Sequence, residues 1–402
     1  MGVPWTTTTK TVTCSGTTTH AYTGSAPLPA FSPPALISAI SSTPPALFAA
    51  MAKMQALKVA SPVLVSAVER AAKELTEAVV DDTGTDFDLA PEAELLEITA
   101  RTSLAGAVGV GMCHLYMDSL GYVWNDFAAS SVPKKSPRDP LADFVYDGGR
   151  ASGHGVVLAE AKGSFSAGVT SAIAMGTANR AYLRQVDRYI TASTSGAPPQ
   201  PIVHGYAIAF GAQLASVRAG AGPHAFIHVA ETDRPPLAPA GVTPSNAGAT
   251  VPAVTSLALG NYRADFVLAR APRIVEMIDA LRTGTAAHLG RIQEFTRIRT
   301  HAGTFITGRL EEHAYSVTPP WTVYAVEETT ARGFLAQLSA LAMLPTLPAQ
   351  IDLLTFEPDI DSEPGAFDDD FVFRDGLTMI GSRTNAVFAE KLDWSALYGL
   401  VG

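Results

Sequence analysis

The run GVVLAEA at residues 155–161, with Lys162 directly after it, constrains this chain more than any other stretch. Its β-branched and aliphatic residues read as a strand buried on both faces. Glu160 and Lys162 stand two residues apart, and so on one face of that strand, with Ala161 opposite. A buried charge is costly unless a partner or a metal compensates it, so the strand must lie where something neutralises Glu160. Upstream, residues 143–146 (DFVY) read as a second short strand, and residues 147–155 (DGGRASGHG) as the turn between them. Paired as a hairpin, the two strands bring Asp143 towards Glu160. Two carboxylates held together repel unless a cation lies between them. Mg2+ suits that place, because it takes oxygen ligands and keeps several of its waters. Lys162 then orients a metal-bound water and offsets negative charge that develops during reaction.

The neighbouring segments frame this hairpin. Residues 167–190 read as a long helix, and residues 202–212 and 225–230 as two further strands. The order strand, strand, helix, strand, strand predicts an α/β fold with a mixed sheet. Residues 45–80 carry a helical pattern, DDTGTD breaks it, and Pro91 opens a second helix towards Leu120 with Glu92, Glu94 and Glu97 near its start. Residues 1–45, rich in Thr, Ser and Pro, are expected to form a loosely attached arm, or one exchanged between copies of an oligomer. Residues 236–255 read as a linker or long loop between a core at 46–235 and a mostly helical C-terminal region at 256–402. Helices are expected there at 262–289 and 330–344, a strand at 321–326, and an acidic loop at 359–370.

Composition bounds the function classes. The 402 residues are 47% hydrophobic and 16% charged, enough apolar material for two domains or for one with a large extension. A net charge of -10 argues against a whole surface built for nucleic acid or membrane, while leaving room for a local basic groove. Two cysteines, Cys14 and Cys113, exclude a disulfide framework and a four-thiolate zinc site. The N-terminal segment lacks the apolar core of a signal peptide. The most apolar run, 103–117, contains His114 and is shorter than the ~20 residues a membrane span needs. A soluble, cytoplasmic protein is the expectation.

An aspartate on one strand, a glycine-rich turn, then Glu-x-Lys on the next strand resembles the PD-(D/E)XK nuclease superfamily, here on Asp143, Glu160 and Lys162. Ala142 stands where that pattern has proline, and Asp147 is a second candidate for the first carboxylate. The following helix carries Gln185 and Tyr189, similar to the Q-x-x-x-Y signature of the superfamily's RecB-like branch; four apart, they share a helix face. The resemblance spans about residues 90–235. It implies a restriction-endonuclease-like mixed central sheet flanked by helices. It also implies a nuclease that hydrolyses phosphodiester bonds with Mg2+, Mn2+ being the expected substitute. Asp143 and Glu160 would bind the metal, Lys162 would position water, and Gln185 and Tyr189 would support the site. The first helix of the family often adds an acid, for which Glu94 is the candidate here, with Glu97 as the alternative. Arg180, Arg184 and Arg188 repeat every four residues on the Gln185 helix, as a phosphate-contacting stripe or an ordinary solvated face. The implied partner is nucleic acid, DNA before RNA, in a setting such as antiviral defence against foreign DNA, with no membrane role and with homo-oligomerisation left open. The alternatives are an inactive binding or assembly protein on the same fold, and a toxin-type nuclease effector with an immunity partner.

Other signals point to structure. Gly106, Gly109 and Gly111 lack the strand and spacing of a dinucleotide site and read as helix packing. His154 reads as a solvated loop residue, His204 and His228 as satisfied core histidines, and the 359–370 loop as solvated. Residues 263–309 hold Arg263, Arg270, Arg273, Arg282, Arg291, Arg297, Arg299 and Arg309 against fewer acids (Asp265, Glu276, Asp279 and Glu294). This excess marks a nucleic-acid or partner surface, or salt bridges between helices.

Overall fold

Threonine is β-branched, and the segment Lys10–Thr19 alternates: Lys10, Val12 and Cys14 are buried, Thr11 and Thr13 exposed. In the computed structural model this segment is strand β1, and it lies inside a seven-stranded sheet. It pairs antiparallel with β2 (Ala35–Ser42) and parallel with β7 (Ala225–Thr232). The lead-in is held by Asp82, whose carboxylate accepts the N–H groups of Thr6, Thr7 and Thr8 at 3.2, 3.2 and 2.8 Å. The expectation of a loose arm therefore fails for residues 10–19 and 35–42, because threonine's polarity masks its strand-forming branch point. The structure describes residues 3–20, 30–58, 61–132, 138–147, 156–192, 202, 204–218, 222–233, 252–285, 294–308, 322–342, 371–381 and 388–392.

The sheet runs β2-β1-β7-β6-β5-β4-β3, with β3 (Trp124–Phe127), β4 (Phe144–Asp147), β5 (Val157–Phe165) and β6 (His204–Ala212). Strands β3, β4 and β5 form an antiparallel meander, and β6 returns parallel to β5. A parallel return needs a crossover. It is supplied by α5 (Ser171–Ala181), a π-helical turn (Tyr182–Val186) and α6 (Asp187–Ala192), which replace the single helix expected at 167–190. Pro62 divides the expected 45–80 helix into α1 (Pro44–Lys58) and α2 (Pro62–Val79). The expected helix from Pro91 becomes a short turn, Pro91–Glu94, followed by α3 (Ile98–Ser119). A four-residue helix, α4 (Ala128–Ser131), follows β3.

Helix α3 covers one face of β5, and glycines set how closely. A Cβ on Gly109 would meet the Gly163 backbone and the Lys162 carbonyl, and one on Gly111 would meet Leu47 and Met51 of α1. These glycines serve helix packing, as their sequence context suggests. On the other face of the sheet, Val145 and Leu158 join Ala178, Tyr182, Val186 and Tyr189 of the crossover in a separate apolar cluster.

Beyond the expected linker, of which residues 234–251 lie outside the described residues, α7 (Pro252–Leu268) and α8 (Pro272–Thr283) stand in place of one helix at 262–289. Arg270 at φ 54 and Pro272 break it. Then come β8 (Phe295–Arg299), β9 (Thr304–Gly308), β10 (Thr322–Glu327), α9 (Glu328–Ala342), β11 (Leu377–Gly381) and β12 (Phe388–Leu392). The strand and the helix expected at 321–326 and 330–344 are β10 and α9. Among the described residues the region holds, beside its helices, an antiparallel sheet in the order β11-β10-β9-β8-β12, of which the sequence suggests only β10. Strands of five residues, such as FTRIR and TFITG, are too short to stand out among Thr and Arg. The acidic loop at 359–370 lies outside the described residues. Among the described residues, no helix is long and apolar enough to cross a membrane.

One apolar core runs from Trp5 to Leu392 through both sheets. A buried charged cluster crosses it. Lys53 of α1 is wholly buried and pairs with Asp265 of α7 at 3.2 Å and with Asp375, two residues before β11. Asn261 donates to both carboxylates at 3.0 and 2.9 Å and accepts the N–H of Asn125 in β3 at 3.1 Å. Burial pushes Asp265 up to about 6 and Lys53 down, against the pull of their attraction.

Three substitutions test this packing. Lys53→Met strands two buried carboxylates and should lower unfolding free energy by roughly 3–5 kcal/mol in urea titration. Gly163→Ala drives a methyl into the Ala105 carbonyl and should lose roughly 3 kcal/mol. Gly106→Ala meets nothing within 4 Å and should be neutral or gain up to ~1 kcal/mol.

Candidate functional site

Register decides which carboxylates meet. Phe144 pairs with Ala159 and Val145 with Leu158, so Asp143 stands opposite Glu160. In an antiparallel pair, opposed residues share a face. Asp143 donates its N–H to Glu160 Oε2 at 2.9 Å, and Ala161 N–H donates to Asp143 Oδ2 at 3.4 Å. Each carboxylate thus uses one oxygen on the opposite strand's backbone. The other two oxygens face ammonium groups. Lys162 pairs with Glu160 Oε1, and Lys58, the last residue of α1, pairs with Asp143 Oδ1 at 2.8 Å. The Lys58 ammonium also lies 4.6 Å from the centroid of the Phe144 ring. Asp147 lies at the other end of β4, opposite Trp124, four residues or roughly 13 Å along the strand. Asp143 is the aspartate that faces Glu160.

The four groups form a floor and a rim. Glu160 is fully buried, while the side chains of Asp143, Lys58 and Lys162 are 26%, 30% and 41% exposed. Burial pushes the Glu160 carboxyl up to about 7, the Asp143 charge adds to this, and Lys162 opposes it. A carboxylate so placed gains from any added cation. Asp143 Oδ1 and Glu160 Oε1 are oxygens of the type Mg2+ takes, and the ammonium groups on them belong to partly exposed lysines with solvent to move into. The donor set therefore fits a divalent ion held by two protein carboxylates with water completing its shell. Among the described residues, no group of three or more His, Cys, Asp or Glu side chains is arranged to hold a metal.

The crossover supports this corner through the backbone. Gln185 Nε2 donates to the Leu141 carbonyl at 3.2 Å, two residues before Asp143. Tyr189 is 4% exposed and packs in the apolar cluster with Val145 and Leu158 beneath the site. Arg180, Arg184 and Arg188 all face solvent along the crossover. Arg180 Nε donates to the Gly176 carbonyl at 3.0 Å, and Arg188 pairs with Asp139 at 3.3 Å.

Other expected residues lie elsewhere. Glu94 does not join Asp143 and Glu160: its carboxylate accepts Ser216 N–H at 2.6 Å. Ser216 lies beyond Ala212, which pairs with Phe165, five residues or roughly 16 Å along β5 from Glu160. Glu97 caps α3, accepting Thr99 N–H at 2.7 Å. The sequence rule that a helix start attracts acids accounts for Glu97, and the Ser216 N–H accounts for Glu94. The arginine excess is largely neutralised: Arg263 pairs with Asp279, Arg273 with Glu276, Arg282 with Asp126 and Arg297 with Glu328. His154, Arg291 and Arg309 lie outside the described residues. His204 is buried with its ring 4.7 Å from Tyr206. His228 is held at both nitrogens, Nδ1 by Ser15 at 2.8 Å and Nε2 by Thr17 at 3.0 Å.

The chain matches no family model, no curated protein and no solved structure. Sequence reasoning passes over Lys58, 85 residues from Asp143, since a lone lysine at a helix end carries no motif.

The buried histidine yields a pH prediction. Burial lowers His228 from 6.5 to about 4. The folded state thus binds its proton later than the unfolded state does. Its contribution is intact above pH 6.5 and is lost as pH falls from 6.5 towards 4. In His228→Gln, unfolding midpoints measured across that window should fall less steeply than in the parent.

Proposed function

We propose that the chain is a Mg2+-dependent nuclease that cleaves DNA, with Mn2+ able to substitute. The observation that carries this reading is Asp143 standing opposite Glu160, with Lys162 on the same face and a rim open to solvent. The mixed sheet flanked by helices agrees with the architecture that the PD-(D/E)XK resemblance implies, and we read α3 through β6 as a restriction-endonuclease-like core. Asp143 and Glu160 are the residues to hold the metal, which when bound supplies a Lewis acid and lowers the pKa of water. The chain's own groups do the rest. Lys162 leaves Glu160, positions the attacking water, and offsets charge on the phosphoryl oxygens. Gln185, through the Leu141 carbonyl, keeps the segment before β4 in place, and Tyr189 packs beneath it. Arg180, Arg184 and Arg188 give the crossover a cationic outer face for DNA phosphates. Defence against foreign DNA is the setting this activity suits.

One observation favours a second reading, a non-cutting scaffold that binds or assembles. Lys58 and Lys162 already neutralise both carboxylates. Plasmid cleavage in Mg2+ separates the two, with a folded RNA assayed in parallel. Glu160→Ala and Lys162→Ala should each cut at least ~100-fold more slowly than the parent. Equal cleavage by all three proteins defeats the assignment. Absence of cleavage by the parent, together with no shift of its melting temperature in Mn2+, supports the scaffold.

A further inference from the structure

The two carboxylates at this corner each have a lysine partner before any metal arrives. Lys58 meets Asp143 and Lys162 meets Glu160, each ammonium on the carboxylate oxygen that the opposite strand leaves open. A divalent cation that takes both oxygens meets an ammonium at each. Lys162 is adjacent in sequence to the glutamate it pairs with. Lys58 is different, because it is brought in from another layer of the fold. Its helix is buried along most of its length, from Pro44 through Ala56, and its ammonium lies against the rings of Phe144 at 4.6 Å and Phe127 at 5.7 Å. A partly exposed ion pair adds little to stability, so stability gives a weak account of Lys58's reach to Asp143. Occupying the cation's place on Asp143 gives a stronger one.

We propose that Lys58 is a tethered counter-ion for Asp143 that a divalent cation must displace, so that α1 sets the metal affinity of the site. This rests on the metal-dependent reading above. Metal affinity is then a compromise: the lysine keeps the empty pair of carboxylates neutral and raises the concentration at which metal enters. Once displaced, the Lys58 ammonium has solvent to move into at the rim.

The test is direct binding of Mn2+ to the full chain, followed by the electron paramagnetic resonance signal of the free ion, which needs no catalysis. Lys58→Met should bind Mn2+ roughly fivefold more tightly than the parent, the size expected for release of one partly exposed ion pair. Lys58→Arg keeps the charge and should bind like the parent or more weakly. Arg273→Met removes the same net charge on α8 and should leave the midpoint within about twofold. If Lys58→Met binds Mn2+ with unchanged or weaker affinity while the parent binds, the proposal for Lys58 falls and the metal site stands. If Arg273→Met tightens binding as much as Lys58→Met, net charge is the cause and the proposal falls. If neither the parent nor Lys58→Met binds Mn2+, both this proposal and the metal-dependent reading fall. Matching far-UV circular dichroism of the variants ensures that each comparison is between folded proteins.

Discussion

Lys53 is the interaction on which the arrangement depends. A buried ammonium without partners costs several kcal/mol, so Lys53 can be buried only where Asp265 and Asp375 come to meet it. Those aspartates belong to the C-terminal half, and Asn125, tied to them through Asn261, belongs to the first sheet. One side chain thus obliges α1, α7, the approach to β11 and the edge strand β3 to share a position. Five residues further along α1 stands Lys58. The cluster that fixes the helix also aims its last residue at Asp143. Packing at the centre of the molecule and charge at the candidate site are two ends of one helix.

The β5 strand adds a second constraint. Its Gly163 lets α3 approach to backbone distance, which covers one face of β5. Glu160 and Lys162 therefore have the other face, where the crossover leaves a rim to solvent. Burial of Glu160 follows from that geometry, and so does its raised carboxyl pKa. The π-helical turn at Tyr182–Val186 falls beside this rim, and its Gln185 reaches the Leu141 carbonyl. Such turns often mark functional positions.

Much of this corner was legible in the sequence, for physical reasons. The Asp143 and Glu160 pairing follows from period-two alternation in two apolar segments of opposite direction, a local property. The Gln185 helix is local too. What was not legible depends on distance or on disguise. Lys58 meets Asp143 through the fold alone, and Lys53 meets Asp265 and Asp375 across more than half the chain. Strand β1 was disguised by threonine, whose hydroxyl reads as loop while its branched Cβ favours strand. The hairpin β8–β9 was disguised by arginine: Arg297 and Arg299 look like a basic surface, yet they alternate with Ile298 around the turn at Thr300 to Gly303. Glu94 was misassigned because its partner, the Ser216 N–H, lies 122 residues away and meets it only through the fold.

The acidic total fits the DNA-facing role we propose only where positive charge gathers locally. The arginines from 263 to 297 are mostly tied to carboxylates across α7, α8 and β8, so their charge is spent inside the fold. Lys58 and Lys162 are tied to Asp143 and Glu160, and Arg188 to Asp139, while Arg180 and Arg184 stand exposed along the helical crossover beside them. In the proposed nuclease, a phosphate backbone approaching that side would meet Arg180 and Arg184 within the ~8–10 Å over which salt leaves charges visible to one another. The chain as a whole, at a net charge of -10, repels a polyanion. An acidic protein with one basic corner orients a polyanion better than a uniformly basic one, since only one face attracts it. In the function we propose, that face is the crossover beside Asp143, Glu160 and Lys162.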